Sequence, residues 1–240
     1  MSLDKKVPVH VSLIMDGNGR WARERGKDRC YGHFEGVESV RACTKAAMKA
    51  GVKYLSLFAF SEENWNRPED EVHTLMDLMI RSMENELPSF IENGIRFVVL
   101  GNKARLSEEL NARIRDCMDR TASCGNLTLV IFLSYSGKWD ILQAAKRLVC
   151  EAVSSPDSLE KIEKMSVCDL DKYLVTADIP DPDLIIRTSG EVRISNYMLW
   201  QAAYSELIFT DILWPDFREE EFFKALEEYS KRDRRYGKVK

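Results

Sequence analysis

The segment Val9-His10-Val11-Ser12-Leu13-Ile14-Met15 runs directly into Asp16-Gly17-Asn18-Gly19-Arg20. The first seven residues are mostly apolar and rich in β-branched side chains, which predicts a strand, and the next five are small, polar or charged, as expected where a strand ends. Four later runs have the same character and predict further strands at residues 54–60, 95–100, 127–133 and 184–186.

Helical stretches lie between these runs, near residues 35–50, 68–92, 105–123, 139–154 and 219–231. The second is the clearest, because its apolar residues recur at three- and four-residue steps and form one continuous stripe. Strands that alternate with helices predict an α/β domain whose mostly parallel sheet is covered on both faces. Ligands of such sheets bind at the carboxyl ends of the strands, so the functional residues are expected there.

Length and composition indicate a single domain over residues 1–240. At ~150 residues per domain the chain has room for one or two, and no internal repeat or low-complexity linker is visible. With 45% hydrophobic and 31% charged residues, the disordered, collagen-like and coiled-coil classes are excluded. The longest apolar run has five residues (129–133), far fewer than the ~18 of a membrane span, and no secretory signal is recognised. We therefore expect a cytoplasmic protein.

The distribution of cysteine, histidine and basic residues indicates which ligands a binding site could have. None of the six cysteines has CxxC spacing and the three histidines show no HExxH spacing, which favours free thiols over disulfides or zinc. The net charge is −4, yet basic residues cluster at 20–29 and in the last ten positions. Such a cluster is usually a solvated face, but two in an acidic chain indicate an anionic ligand or surface.

The residues after the first strand suit an anion. Gly17 and Gly19 let backbone N–H groups converge, and Arg20 adds a planar fork that matches phosphate oxygens. Asp16 would repel that anion unless a cation bridges them, and Mg²⁺ held by one carboxylate plus diphosphate oxygens is the simplest solution. The plain alternative is a tight turn with a surface aspartate.

A nicotinamide-binding loop is disfavoured. Gly17-x-Gly19-x-x-Ala22 fits the loose dinucleotide pattern. That pattern needs a helix to begin at once and an acidic residue about 20 residues on, at the end of the second strand. Here residues 23–33 show no apolar helical period, and the second predicted strand ends near residue 60.

Two further strand ends carry polar and cationic groups. The second predicted strand leads into Phe60-Ser61-Glu62-Glu63-Asn64-Trp65-Asn66-Arg67-Pro68. After the last predicted strand, Arg187 and Arg193 with Ser195 could grip a second phosphate group through bidentate hydrogen bonds. Glu206 is a further carboxylate.

Taken in order, these motifs resemble those of the cis-prenyltransferases, the family of isoprenyl transferases and undecaprenyl diphosphate synthases. The resemblance runs from about residue 9 to 235 and rests on the segments 16–22, 58–68, 183–188, 193–196, 206–207 and 209–217. It implies a single α/β domain with a central, mostly parallel six-stranded sheet flanked by helices, and an apolar tunnel.

The same resemblance implies an activity and partners. A Mg²⁺-dependent enzyme would add isopentenyl diphosphate to an allylic diphosphate, farnesyl diphosphate, giving undecaprenyl diphosphate, the lipid-carrier precursor for cell-wall synthesis. It also implies a homodimer. No nucleic-acid partner is expected, and the basic segment at about 231–240 would either make transient contact with an anionic membrane or be mobile.

Residue roles carry over position by position. Asp16 matches the Mg²⁺ ligand, and Glu206 matches a second metal-linked carboxylate near the dimer interface. Asn64 matches the assigned proton acceptor, but a neutral amide is a poor base, so we prefer an orienting role for it. The positions matched to the allylic diphosphate site are Gly17, Asn18, Gly19, Arg20, Trp21, Arg29 and His33. Those matched to substrate contact without a stated subsite are Ser61, Glu62, Glu63, Trp65 and Arg67. Those matched to the isopentenyl diphosphate site are Arg187, Arg193, Ile194 and Ser195.

Some predictions remain open at this stage. The candidate tunnel walls, which could equally be plain core, are Ala59, Met76, Met79, Met83, Leu129, Ile131 and Leu133. Three positions depart from the family pattern, with Ser136 and Ser189 where glycine is frequent and Val192 where a polar residue is frequent. A synthase of another chain length and a non-catalytic subunit are the alternatives, although a subunit of that kind would lack Asp16.

Overall fold

A single six-stranded sheet lies at the centre of the molecule. The structure, a computed structural model, describes residues 6–153 and 158–234. The strands are β1 His10–Ile14, β2 Tyr54–Ser61, β3 Ile95–Leu100, β4 Leu127–Tyr135, β5 Leu184–Arg187 and β6 Glu206–Phe209. Their order is β3-β4-β2-β1-β5-β6, and every neighbouring pair is parallel. The predicted sheet is confirmed, and it is parallel throughout. The strand pattern left out β6 because that edge strand is only four residues long and partly exposed.

Helices flank this sheet. Within the described residues they are α1 Asn18–Glu24, α2 Arg29–Ala50, α3 Glu69–Glu92, α4 Glu108–Arg120, α5 Gly137–Val153, α6 Ser158–Glu163, α7 Val167–Asp171 and α8 Glu219–Ser230. The segment 61–67, called here the β2 turn, contains a 3₁₀ helix at Glu62–Asn66. The five predicted helices correspond to α2, α3, α4, α5 and α8.

Segment 23–33 is largely helical, contrary to its prediction. The Asp28 side chain caps α2 by accepting from the Cys30 N–H at 2.8 Å. Gly32 then faces α1, where a Cβ would overlap the carbonyl oxygen of Asn18. The glycine therefore serves the close packing of α2 on α1 and does not break the helix. A helix does begin directly after Gly17, so the nicotinamide alternative is disfavoured only by the position of β2.

The alternation of side chains along the strands divides the core between the two faces of the sheet. On β4, Leu129 and Ile131 belong to the larger cluster, together with residues of α2, α3, α4 and α8. Val130 and Phe132 point to the opposite face, where they pack with Tyr197. The larger face is the one that α2 and α3 cover, and it contains the cavity described below.

The sheet changes its direction of growth between β1 and β5. From β1 the chain builds β2, β3 and β4 on one side, and then crosses to place β5 and β6 on the other. Ligands of open α/β sheets bind outside the carboxyl ends of the strands at such a switch point. The residues that follow β1 and end β5 are therefore placed where a ligand is expected.

The beginning of the C-terminal basic segment is held against the domain. Arg232 donates hydrogen bonds to Glu206 and to the carbonyl oxygen of Leu207, each at 2.9 Å. Arg234 forms an ion pair with Asp183. The segment predicted as a mobile or membrane-contacting tail is thus anchored as far as residue 234, and residues 235–240 lie outside the described part of the chain. Over the ranges that are described, no helix is both long and apolar enough to cross a bilayer.

Candidate active site

Asp16 and Arg187 connect the two strands at the switch point. Arg187 Nη2 donates to Asp16 Oδ2 at 2.8 Å. Its Nη1 donates to the carbonyl oxygen of Arg193 at 2.6 Å and to Ser195 Oγ at 2.7 Å. The Arg187 side chain is only 5% exposed. This buried guanidinium therefore positions the carboxylate that follows β1 and the 193–195 loop at the same time.

The Asp16 carboxylate is stabilised in its charged form. Partial burial, the largest single influence, acts to raise its pKa. The hydrogen bond and charge of Arg187, the Gly17 N–H and the charge of Arg20 together outweigh burial, so the pKa of Asp16 lies below its ordinary value. Asp16 Oδ1 is 3.5 Å from Arg20 Nη2, a longer contact than Oδ2 makes with Arg187. Asp16 is therefore ionised at neutral pH, and Oδ1 is the oxygen more available to a cation.

Gly17 makes the turn from Asp16 into α1. Its φ is 106°, and a Cβ at this position would lie 2.9 Å from Leu213 Cδ2 and 3.0 Å from Ser189 Cβ. Glycine is required here because this backbone conformation and this space exclude a side chain. No side chain caps α1, so its first N–H groups are among those that a helix start leaves unpaired.

Glu191 pairs with two arginines at the rim of the site. It lies 3.5 Å from Arg20 Nη1 and forms an ion pair with Arg193. Arg20 also donates to the carbonyl and hydroxyl oxygens of Ser189. The Arg193 side chain is 57% exposed. An anionic ligand that bound here would therefore compete with Glu191 for both guanidinium groups.

The β2 turn divides its side chains between two surroundings. A 3₁₀ helix has about three residues per turn, so side chains three apart share a face. Ser61, Asn64 and Arg67 line the cavity, and so does Glu63. Glu62 and Trp65 instead form hydrogen bonds with a residue of β4. The motif predicted as a single contact surface is therefore only partly at the cavity.

The side-chain oxygen of Asn64 is used within the β2 turn itself. Asn64 Oδ1 accepts from the Ser61 N–H at 3.0 Å, and Ser61 Oγ accepts from the Asn64 N–H at 3.2 Å. This reciprocal capping box fixes the orientation of the amide, since the N–H donor requires the oxygen on that side. The Nδ2 group is then the part of the Asn64 amide that can meet a ligand.

A group of charged side chains surrounds His33, which lines the cavity. Glu71 Oε1 lies 3.1 Å from Arg67 Nη1 and 3.3 Å from Arg29 Nε. Burial, reinforced by the positive charges of Arg67 and Arg29, lowers the pKa of His33 to about 4. The His33 imidazole is therefore neutral at pH 7 and able to donate or accept a hydrogen bond without adding charge.

A cavity of about 990 Å³ is lined by several of these residues. Its mouth includes Asp16, His33 and Arg187, and it continues between the sheet and helices α2 and α3. The seven residues that the sequence nominated as tunnel walls all line it: Ala59, Met76, Met79, Met83, Leu129, Ile131 and Leu133. Predicted site residues that line it are Asp16, Asn18, His33, Ser61, Glu63, Asn64, Arg67, Arg187 and Ser195.

Other predicted site residues lie away from the cavity. Trp21 is buried, and its Nε1 donates to Asp216 at 2.7 Å. Ile194 packs against the core on the opposite face of the sheet. Glu206 opens β6 opposite Leu184, at the amino end of the strands, whereas Asp16 follows their carboxyl end. At ~3.3 Å per residue, the length of β5 alone separates the two carboxylates by about 10 Å, so one chain cannot bring both to one cation.

Sequence reasoning missed several residues that shape the site. Glu71 lies in the first turn of α3, where it pairs with Arg67 just before the helix, and no helical spacing indicated that pair because Arg67 is extended. Asn196, which directly follows Ser195, donates from Nδ2 to Glu63 at 2.6 Å and joins the β2 turn to the 193–196 loop. Glu191 had no sequence signal beyond its place in the motif.

The side chains at the mouth fit a magnesium ion that is shared with a substrate. Proteins usually bind Mg²⁺ through one or two carboxylates together with substrate phosphate oxygens. Asp16 supplies one carboxylate, and Arg20 and Arg187 stand beside it for the phosphates. In the described ranges, no group of three or more His, Cys, Asp or Glu side chains could hold an ion by itself. The residues present therefore fit a cation that would complete its coordination with oxygens of a bound anion.

Comparison with known proteins was consistent across sequence and structure. The Prenyltransf family model, described as undecaprenyl diphosphate synthase, matches residues 14–237. An isoprenyl transferase of Fusobacterium nucleatum is 47% identical, with 99% of each chain covered. The farnesyl-diphosphate-specific ditrans,polycis-undecaprenyl-diphosphate synthase of Haemophilus ducreyi is 48% identical over 96% of this chain and 94% of that protein. The lavandulyl diphosphate synthase of Lavandula x intermedia, solved with dimethylallyl diphosphate, superposes with a TM-score of 0.91 at 30% identity, covering 97% and 99% of the two chains.

Proposed function

The chain belongs to the prenyltransferase family of the undecaprenyl diphosphate synthases, and we propose that it adds isopentenyl diphosphate stepwise to farnesyl diphosphate to give undecaprenyl diphosphate. One observation carries this proposal. An ionised aspartate, fixed between two arginines at a strand switch point, stands at the mouth of a largely apolar cavity. A diphosphate head and a hydrocarbon tail are the two halves of a prenyl diphosphate, and this site offers a surface for each.

Breaking the allylic C–O bond leaves additional negative charge on the departing diphosphate. Groups that meet this charge accelerate the step if they bind it more strongly in the transition state than in the substrate. Arg20 and the first N–H groups of α1 are placed to do so beside Asp16. Asp16 would hold the Mg²⁺, which when bound neutralises charge on the diphosphate oxygens.

The alkene of isopentenyl diphosphate then attacks the allylic cation, and a C2 proton must leave. Asn64 is a poor acceptor for that proton, because its Oδ1 already accepts from the Ser61 N–H. We assign it the task of holding substrate through Nδ2, while the proton passes to a diphosphate oxygen. Arg187 and Ser195 line the cavity on the side proposed for isopentenyl diphosphate, with Arg193 joining them once it leaves Glu191.

The cavity supports a long product. Its volume of about 990 Å³ lies at the upper end of the ~300–1,000 Å³ found for small-molecule sites. Three of its wall residues are the flexible methionines Met76, Met79 and Met83, which can adapt to a chain of changing length. We therefore propose that the growing chain extends between α2 and α3.

The position of Glu206 supports a dimer. If Glu206 contributes to a metal site, it must reach the Asp16 of a second copy, since its own Asp16 lies at the other end of the strands. Glu206 stands on β6, an edge strand whose Leu207 is 37% exposed. Mixing inactive Asp16→Asn and Glu206→Ala proteins tests this, because mixed dimers would have one intact site. Recovered activity is expected, and no recovery after subunit exchange would contradict the shared site.

Incorporation of radiolabelled isopentenyl diphosphate onto farnesyl diphosphate tests the activity. We expect incorporation with Mg²⁺, loss with EDTA, and a chromatographed product of eleven isoprene units. Absence of incorporation under all conditions would refute the proposed reaction, and a uniform shorter or longer product would correct its chain length.

A further inference from the structure

Trp65, which is not among the residues that line the cavity, is held by contacts on several sides. Its Nε1 donates to Ser134 Oγ at 2.8 Å, and Ser134 Oγ donates to Glu62 Oε1 at 2.8 Å. The ring of Phe60 meets the Trp65 ring nearly edge-on, with centroids 5.1 Å apart. The resemblance matches Glu62 and Trp65 to substrate contacts, and in this structure both side chains have hydrogen-bond partners within the protein.

Arg105 closes this arrangement from a separate loop. Its Nη1 donates to Glu62 Oε2 at 2.7 Å, and its guanidinium carbon lies 4.8 Å from the centre of the Trp65 ring. The arginine thus meets both Glu62 and Trp65, neither of which lines the cavity. Glu62, Trp65, Arg105 and Ser134 are called here the Trp65 network.

The loop that carries Arg105 is itself fixed to the end of β4. The Asn102 N–H donates to the Ser134 carbonyl oxygen at 2.9 Å. Gly101 has a φ of 137°, and a Cβ there would overlap the carbonyl oxygen of Leu133. Ser134 is buried and adopts a left-handed φ of 52°, a conformation that costs energy and persists only when its surroundings enforce it. The loop is therefore a firm support.

We propose that Arg105 is a positioning residue of the condensation reaction. Because side chains three apart share a face of the 3₁₀ helix, holding Glu62 and Trp65 fixes the rotation of the whole β2 turn. That rotation places Ser61, Asn64 and Arg67 in the cavity. This inference rests on the proposed function, which names the reaction that Arg105 would support. The contacts of Arg105 are independent of that proposal.

The network acts on geometry more than on stability. The Arg105 side chain is 45% exposed and that of Glu62 is 17% exposed, and ion pairs in contact with water contribute little to folding. Reacting groups, in contrast, are sensitive to placement, and a displacement of ~1 Å can cost ~100-fold in rate. Loss of Arg105 should therefore lower turnover out of proportion to its effect on folding.

Steady-state kinetics of Arg105→Ala test this. We expect kcat to fall ~10- to ~100-fold, while the KM for isopentenyl diphosphate changes less than ~3-fold because Arg187 and Arg193, which are proposed to bind it, lie outside the β2 turn. The matched control is Arg115→Ala, which removes an exposed arginine paired with Glu108 at 2.8 Å on α4. The control should keep kcat within ~2-fold of the wild type. An Arg105→Ala kcat that is equally unchanged would overturn the proposal.

Glu62→Gln separates positioning from substrate contact. If the network acts as proposed, Arg105→Ala and Glu62→Gln remove the same ion pair. The double variant should then have a kcat close to that of the less active single variant. If Glu62 bound substrate directly, Glu62→Gln would raise a diphosphate KM and its effect would multiply with that of Arg105→Ala. If Arg105→Ala does not fold, Arg105→Lys is measured in its place. Its kcat is expected to lie between those of the wild type and Glu62→Gln.

The Trp65 indole N–H gives a readout that is independent of turnover. Its NMR signal is assigned by its disappearance in Trp65→Phe, and it should shift and exchange faster with water in Arg105→Ala but not in Arg115→Ala. An inactive wild type whose indole signal responds in this way would contradict the proposed function and leave the network standing. An active enzyme whose kcat and indole signal both ignore Arg105→Ala would overturn this inference alone.

Discussion

Replacing Arg187 by methionine should reverse the effect of the protein on the Asp16 carboxyl. In the wild type, the hydrogen bond and charge of Arg187 overcome the tendency of burial to raise the pKa. Without Arg187, burial is opposed only by the Gly17 N–H and the charge of Arg20, so we expect the pKa of Asp16 to move from below to above its ordinary value. NMR titration of the Asp16 carboxyl carbon in Arg187→Met measures this directly.

The same variant should lose considerable stability. Removing one partner of a buried ion pair typically costs ~3–5 kcal/mol, because an uncompensated charge remains. The Asp16 side chain is 32% exposed and so partly solvated, which favours the lower end, about 3 kcal/mol. For a chain of this length each kcal/mol lowers Tm by ~2–4 °C, so a decrease of about 6–12 °C is expected at pH 7.

The direction of the Asp16 pKa shift determines how folding stability depends on pH. A carboxyl whose folded pKa is depressed stabilises the wild type above its unfolded pKa, and that contribution is lost as the pH falls through the folded pKa. In Arg187→Met the raised pKa makes Asp16 destabilising at neutral pH, and acid should relieve this. Arg187→Met/Asp16→Asn should accordingly be more stable at pH 7 than Arg187→Met. A Tm decrease below ~3 °C, or a double variant no more stable than the single one, would refute the reasoning.

Three further outcomes are expected. Arg193→Ala should raise the KM for isopentenyl diphosphate more than the KM for farnesyl diphosphate, and equal increases in steady-state assays would mean that the two phosphate sites are wrongly assigned. Ser189→Gly should raise Tm by ~2–4 °C in thermal denaturation, corresponding to ~1 kcal/mol. The reason is that Ser189 has a φ of 81°, which favours glycine. A decrease in Tm would show that the hydrogen bonds between Ser189 and Arg20 contribute more to stability. Burial lowers the pKa of His10 to about 4, so stability should fall as the pH drops from 6.5 to 4, where the unfolded chain takes up a proton that the folded chain does not. Urea denaturation of His10→Gln across this range should show a weaker pH dependence than the wild type, and an unchanged dependence would assign it to other groups.

The sequence was informative about the fold wherever the apolar pattern was strong. The stripe from Val72 to Ile91 predicted α3, and the β-branched runs predicted five of the strands, because side-chain burial sets both periods. The prediction for segment 23–33 was wrong. Gly32 serves the packing of α2 on α1, and the segment has no apolar period from which its helices could be predicted. The edge strand β6 is too short and too exposed for its pattern to be distinctive.

Many of the predicted site residues lie together at the cavity, but the sequence did not indicate their different surroundings. Asp16 and Arg187 could be placed together, because parallel strands end at one edge of the sheet. The different surroundings of Asn64 and Trp65 depend on a 3₁₀ helix whose period of three was not recognised. The distance of Glu206 from Asp16 depends on the register of β5 and β6, and the partners of Trp21 depend on long-range packing. Neither is encoded in local spacing.

The central claim is that the Asp16 carboxylate couples Mg²⁺ to the departing diphosphate. Calorimetric titration of farnesyl diphosphate into wild type and Asp16→Asn, with and without Mg²⁺, tests it most directly when paired with turnover on the same samples. The account predicts that Mg²⁺ tightens binding to the wild type only, that Asp16→Asn still binds the diphosphate through its arginines, and that its turnover is abolished. An Asp16→Asn protein with the wild-type response to Mg²⁺ and near-normal turnover would contradict it.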